Sequence, residues 1–182
     1  IYAEDDKVMG KFLTTSSGST QLPKKGMYQL SRNELYKDDD GSIYMVWRLF
    51  WTDHFTWIVS GDWDTRCSHL HDEGCRHHQI IRVKLTEQQL RRCRYLVVKN
   101  DEVICKDLPH QFLEVIDVSG HWINNLFYRM LRDADCPKTP KHIQWLYRAG
   151  VALNLGWFKT GKYKIDLKKI YDEDWNRTVS DD

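Results

Sequence analysis

The chain has 182 residues, 41% hydrophobic and 29% charged, a size that fits one compact domain and a composition too apolar for wholesale disorder. Its formal net charge is +1, so the whole-molecule field names no partner and any pull on a polyanion has to come from local clustering. No apolar run approaches the roughly 20 residues of a membrane span.

Residues 1–42 contain no Cys, His or Trp and include the polar stretch Thr14 to Thr20. They predict an N-terminal arm or scaffold strands, with a short strand at Tyr28-Gln29-Leu30 and a turn at Asp38-Asp39-Asp40-Gly41. The acidic run of that turn reads as a solvated surface. Residues 43–157 carry the chemistry and are expected to form one α+β zinc-binding domain. Ile43 to Trp63 is dense in aromatic and β-branched residues, with Thr52-Asp53-His54 between the runs, and predicts a β-hairpin.

Six Cys and His residues follow within twelve positions: Cys67, His69, His71, Cys75, His77 and His78. Thiolate and imidazole are the donors zinc prefers, four of them in a tetrahedron, and Asp72-Glu73-Gly74 offers a place for the chain to fold back. The expectation is a zinc-stabilised loop closed by Cys67, His71, Cys75 and His78. The concentration of ligands also supplies His-x-Glu pairs that, with His121, suit a two-His, one-carboxylate iron site, so a metal-dependent enzyme such as a nuclease or oxygenase remains a function class. No zinc-protease, deaminase, P-loop, dinucleotide or nucleophile-elbow motif is present.

Downstream, Ile81, Val83 and Leu85 alternate with Arg82 and Lys84 as in a half-buried strand. Thr86-Glu87-Gln88-Gln89 has the form of a capping box, opening a short helix that ends near Cys93. Tyr95 to Val98 and Val103 to Cys105 flank the polar turn Lys99-Asn100-Asp101-Glu102 as a second hairpin, and Phe112 to Val118 predicts a further strand. Cys93, Cys105 and His110 form a second possible ligand set, completed by Cys67 or Cys75. The run Asp101-Glu102-Val103 into Cys105, then Pro109-His110, with Cys93 upstream, resembles the Cys/Cys/His zinc loop of Smad MH1 domains and their relatives among His-Me-finger nucleases. The resemblance spans only this short stretch. Leu108 stands where that family has Asn, and Arg91 stands where a His-Me nuclease carries its base.

Ser119 caps a helix whose Ile123, Leu126, Phe127, Met130 and Leu131 share one face. Thr139 and Pro140 announce another helix, closed by Gly156. Its Ile143, Trp145, Leu146, Tyr147, Val151 and Leu153 leave a narrow polar edge, as expected of a helix that is buried or meets a partner. Residues 158–182 read as a charged tail with a short helix over Ile165 to Tyr171 and a frayed end. The fold expected is thus α+β: a mostly antiparallel sheet, two C-terminal helices and a zinc-stabilised Cys/His-rich loop.

Arg82, Lys84, Arg91, Arg92, Arg94 and Lys99 stand against Glu87 alone, a local charge of about +5. Such a surface beside a metal site suits phosphates, with Trp51 as a stacking platform for bases, so binding of nucleic acid, DNA or RNA, is the leading functional expectation. The alternative is a protein-interaction or adaptor module of the viral accessory type. It would use the apolar helix 140–155 to meet a partner protein or form a homodimer. Five cysteines interleaved with histidines suit a reducing compartment, nucleus or cytoplasm, with no membrane partner. The competing arrangement is a secreted chain with Cys67–Cys75 and Cys93–Cys105 disulfides.

Overall fold

A computed structural model describes residues 10–16, 19–21, 27–52, 66–132, 141–152, 161 and 163–180. It is an α+β fold with antiparallel sheets. The central sheet runs β1 (Lys11–Phe12), β4 (Glu34–Lys37), β5 (Ile43–Val46), β7 (Gln79–Val83), β10 (Leu113–Asp117), and every neighbouring pair is antiparallel. A small sheet joins β2 (Ser19–Gln21), β3 (Tyr28–Leu30) and β6 (Trp51–Thr52), and β8 (Leu96–Lys99) with β9 (Glu102–Cys105) forms a separate hairpin. The helices are α1 (Arg66–His77), α2 (Glu87–Arg92), α3 (Gly120–Arg132), α4 (Lys141–Ala152) and α5 (Glu173–Ser180). Among the described residues no helix is long and apolar enough to cross a membrane.

Several local signals act as read. Thr86 Oγ1 accepts from the Gln89 amide while Gln89 returns the bond to the Thr86 amide, which opens α2. Asn100 and Asp101 both take positive φ, 51° and 63°, the backbone of a two-residue hairpin turn whose twist matches its strands. Ser119 Oγ accepts from the Trp122 amide, and the five apolar residues of α3 are all buried.

Other expectations are corrected. The described part of the expected Ile43 to Trp63 hairpin is divided between two sheets, β5 pairing with β4 and β7 and β6 with β3, and its second run, 55–63, lies outside the described residues. Leu49, at φ 72°, turns the chain between the two sheets and anchors to the Leu30 carbonyl. Residues 53–65 lie outside the described residues, as do Thr139, Pro140 and Gly156. The Cys/His-rich stretch is helix α1, not a loop, because its inward positions recur at helical spacing and Gly74 lets it lie against α3. A Cβ at Gly74 would sit 2.5 Å from Ile123 Cγ1. Residues 167–171 form turns, and the helix of the tail starts later at Glu173. The cause is Asp172, whose Oδ1 accepts from the amides of Asp174 and Trp175 as an N-cap.

The core lies between the central sheet and the pair α1 and α3. All four β5 residues are buried, so both faces of this middle strand are covered. The C-terminal segment belongs to the same core. Ile165 and Ile170 are buried, Trp175 packs 6.0 Å from Trp47, and the Trp47 indole donates to Asn176 Oδ1 at 2.8 Å.

Candidate functional site

Helix α1 sorts its titratable residues into two stripes. His69, Glu73 and His77, four apart, face inward and are each no more than 1% exposed. His69 Nδ1 donates to Glu34 Oε2 on β4 at 2.7 Å. His77 Nδ1 donates to the Tyr163 carbonyl at 2.9 Å, and its ring sits against Trp47 and Phe50. Burial, with Arg76 and Lys164 nearby, lowers the His77 pKa to about 3, so the ring is neutral and its enclosed Nε2 has no partner among the described residues. Burial likewise pushes the Glu73 carboxyl well above the ordinary carboxylate range, partly offset by the Ile81 backbone. Both Glu73 oxygens are enclosed without a good hydrogen bond among the described residues. Their spacing of four is visible in the sequence, but nothing local marks that face of the helix as the buried one.

The second stripe contains the expected zinc ligands. Cys75 Sγ lies 3.6 Å from His71 Nε2, His71 also bonds Asn124 Oδ1 at 3.0 Å, and its ring stacks on Phe127 at 4.8 Å. Burial lowers the pKa of His71 and raises that of Cys75 to about 12, so the pair rests as neutral imidazole and thiol. Cys67 is buried in the hydrophobic core. His78 stands just past α1 in a left-handed conformation, φ 52°, and its carbonyl accepts from Val118. Cys93 caps the end of α2 and is exposed, while Cys105 is buried on β9 with its thiol donating to the Lys106 carbonyl at 3.2 Å. His110 opens a single 3-10 turn and lines a shallow cleft with Asp107, Lys168 and Tyr171.

Among the described residues no three Cys, His, Asp or Glu side chains are grouped to hold a metal. His71 and Cys75 supply two donors where tetrahedral zinc takes four, and the thiol must ionise first. The pair does not make a zinc site unaided. Among the described residues no disulfide joins Cys67, Cys75, Cys93 or Cys105.

The basic flank is partly neutralised by its surroundings. Arg82 is held by Glu114 at 2.6 Å, and Arg91 by Glu87 at 3.1 Å, which also holds Lys11 and Lys37. Lys84, Arg92, Arg94 and Lys99 are exposed, and no ion pair engages them among the described residues. Trp51 is half-buried, its Nε1 is enclosed and its carbonyl accepts from Arg76 at 2.6 Å, a poor posture for stacking on a base.

Helix α4 offers a different surface. His142, Trp145, Leu146 and Ala149 are all exposed, and their spacing of i, i+3, i+4, i+7 places them on one face about 100° wide. Trp145 is 65% and Leu146 38% exposed.

No known family model, no curated protein and no solved structure matches this chain.

Proposed function

We propose that the protein is a protein-binding module of adaptor type that presents helix α4 to a groove on a partner. The observation that supports this is the exposed stripe Trp145, Leu146 and Ala149, with His142 at its start. An amphipathic helix enters a groove through anchors at this spacing. Trp carries the largest anchor area, Leu fills the adjoining pocket, and Ala149 allows the backbones to approach. Monomeric surfaces scatter single hydrophobes, whereas adjacent Trp and Leu on one exposed stripe are the signature of an interface centre.

Nucleic-acid binding is the second reading, favoured by the exposed cations Lys84, Arg92, Arg94 and Lys99. It calls for a continuous phosphate track, and two of its six cations are engaged by carboxylates. The two readings part under salt. Phosphate contacts weaken steeply as counterions are restored, and an apolar helix seat does not.

A photo-crosslinking residue placed at 145, and separately at the exposed control position 121, tests the proposal. Crosslinking of one partner protein from position 145 only, undiminished at high salt, is the expected result. Crosslinks to nucleic acid, or none at 145 where Arg92→Ala and Arg94→Ala abolish binding of an oligonucleotide, would replace it with the second reading.

A further inference from the structure

The β8–β9 hairpin has one closed edge and one open edge. In this register the Tyr95 carbonyl accepts from the Lys106 amide, so Val97 and Lys99 also face β9 with their hydrogen-bonding groups, and those of Leu96 and Val98 point away from it. The outward groups of β9 are taken up. The Val103 carbonyl accepts from the Thr15 amide, its amide donates to Thr15 Oγ1, and Cys105 bridges to Asn33. Among the described residues no strand other than β9 pairs with β8, and Val98 on it is the most exposed large hydrophobic residue described, at 68%. No proline or bulge blunts this edge.

Charge surrounds it unevenly. Arg92 and Arg94 lie at the start of β8 and Lys99 at its end, all exposed and without ion pairs among the described residues. Of the two acids within the hairpin, Glu102 is occupied by Arg32 at 2.7 Å, which leaves Asp101 at the turn. The outward main-chain donor and acceptor of Val98, its exposed apolar side chain and the cations before and after it are complementary to an extended, acidic peptide; Leu96, the other outward residue of β8, is buried.

We propose that β8 is a docking edge for an extended acidic segment of a partner protein, which pairs with its exposed end at Val98. Main-chain bonds to Val98 supply affinity. An apolar side chain packs on Val98, and flanking Asp or Glu residues meet Arg92, Arg94 and Lys99. This surface is separate from α4 and does not rest on that reading.

The test is fluorescence anisotropy with the full chain and a labelled ten-residue peptide alternating Glu and Val, alongside the same peptide methylated on every backbone nitrogen and a ten-nucleotide oligothymidylate. The alternating peptide is expected to bind saturably and to slow hydrogen exchange at the Val98 amide. Backbone methylation is expected to weaken it at least tenfold, as is the double variant Arg94→Glu, Lys99→Glu. Trp145→Ala is expected to leave it unchanged. Val98→Pro removes the outward donor, and the charge variant keeps the test decisive if that proline unfolds the hairpin. Absence of binding, equal binding of the methylated peptide, or displacement by oligothymidylate at equal concentration would each overturn the proposal, the last in favour of phosphate recognition.

Discussion

Glu73 and His77 share one face of α1 and pull stability in opposite directions with pH. The Glu73 pKa is raised above its ordinary 4.5, so the unfolded chain releases this proton first, and stability is lost as pH rises above about 4.5 toward the folded value. The His77 pKa is lowered from 6.5 to about 3. Its contribution is complete above pH 6.5 and is lost as pH falls toward 3. Between these limits the two slopes oppose each other, and each can reach about 1.4 kcal/mol per pH unit. Thermal melts from pH 4 to 9 are expected to show a broad maximum, and Glu73→Gln, which mimics the protonated acid, to flatten the alkaline side. An unchanged alkaline slope in that variant would place the cause elsewhere. Gly74 makes a steric prediction on the same helix. Its Cβ position lies 2.5 Å from Ile123 Cγ1, so Gly74→Ala is expected to separate α1 from α3 at about 1–3 kcal/mol of stability, read by denaturant titration.

At the scale of elements, α4 and α1 show how far periodicity reaches. The apolar character of α4 was plain in the sequence, including the expectation of burial or a partner, but which residues stay outside depends on where α3 lies. Alanine at Trp145 is expected to weaken the partner by about 2 kcal/mol or more, roughly 30-fold in Kd, while leaving the melting temperature unmoved because the side chain is exposed. In helix α1 the metal-ligand spacing and the spacing of four are both present in the sequence, and the inward stripe His69, Glu73 and His77 follows the second. Of the expected zinc set, His71 and Cys75 come within 4 Å of each other. Metal analysis of reduced protein gives a direct check on this pair: bound zinc that is lost in Cys75→Ser would mean that further donors come from outside the described residues. Zinc retained in that variant would place the metal away from α1.

At the scale of the molecule, the C-terminal segment closes the fold. Asn176 is 3% exposed; its oxygen accepts from Trp47, and its amide nitrogen donates to the Ile170 and Asp172 carbonyls. This leaves no room for the glycan that Asn176-Arg177-Thr178 could otherwise accept. Asn176→Ala leaves the buried Trp47 donor unpaired and is expected to cost about 1–3 kcal/mol, lowering the melting temperature by several degrees. A melt unchanged within a degree would show the tail to be dispensable.

The sequence alone determined features whose causes are short-range: the Thr86–Gln89 cap, the Asn100–Asp101 turn, the apolar face of α3 and the α+β class. Each depends on residues a few positions apart, where dihedral preference and side-chain spacing act directly. Tertiary structure decided the rest. Which strands flank β5, which acid neutralises Arg82, and that Trp47 meets Asn176 all depend on contacts between residues remote in the chain. The basic stretch illustrates the difference. Its charge and the Glu87–Arg91 pair four residues apart were countable from the sequence, but Glu114 took up Arg82 only once β10 lay beside β7, and Arg92, Arg94 and Lys99 were left exposed before and at the end of β8.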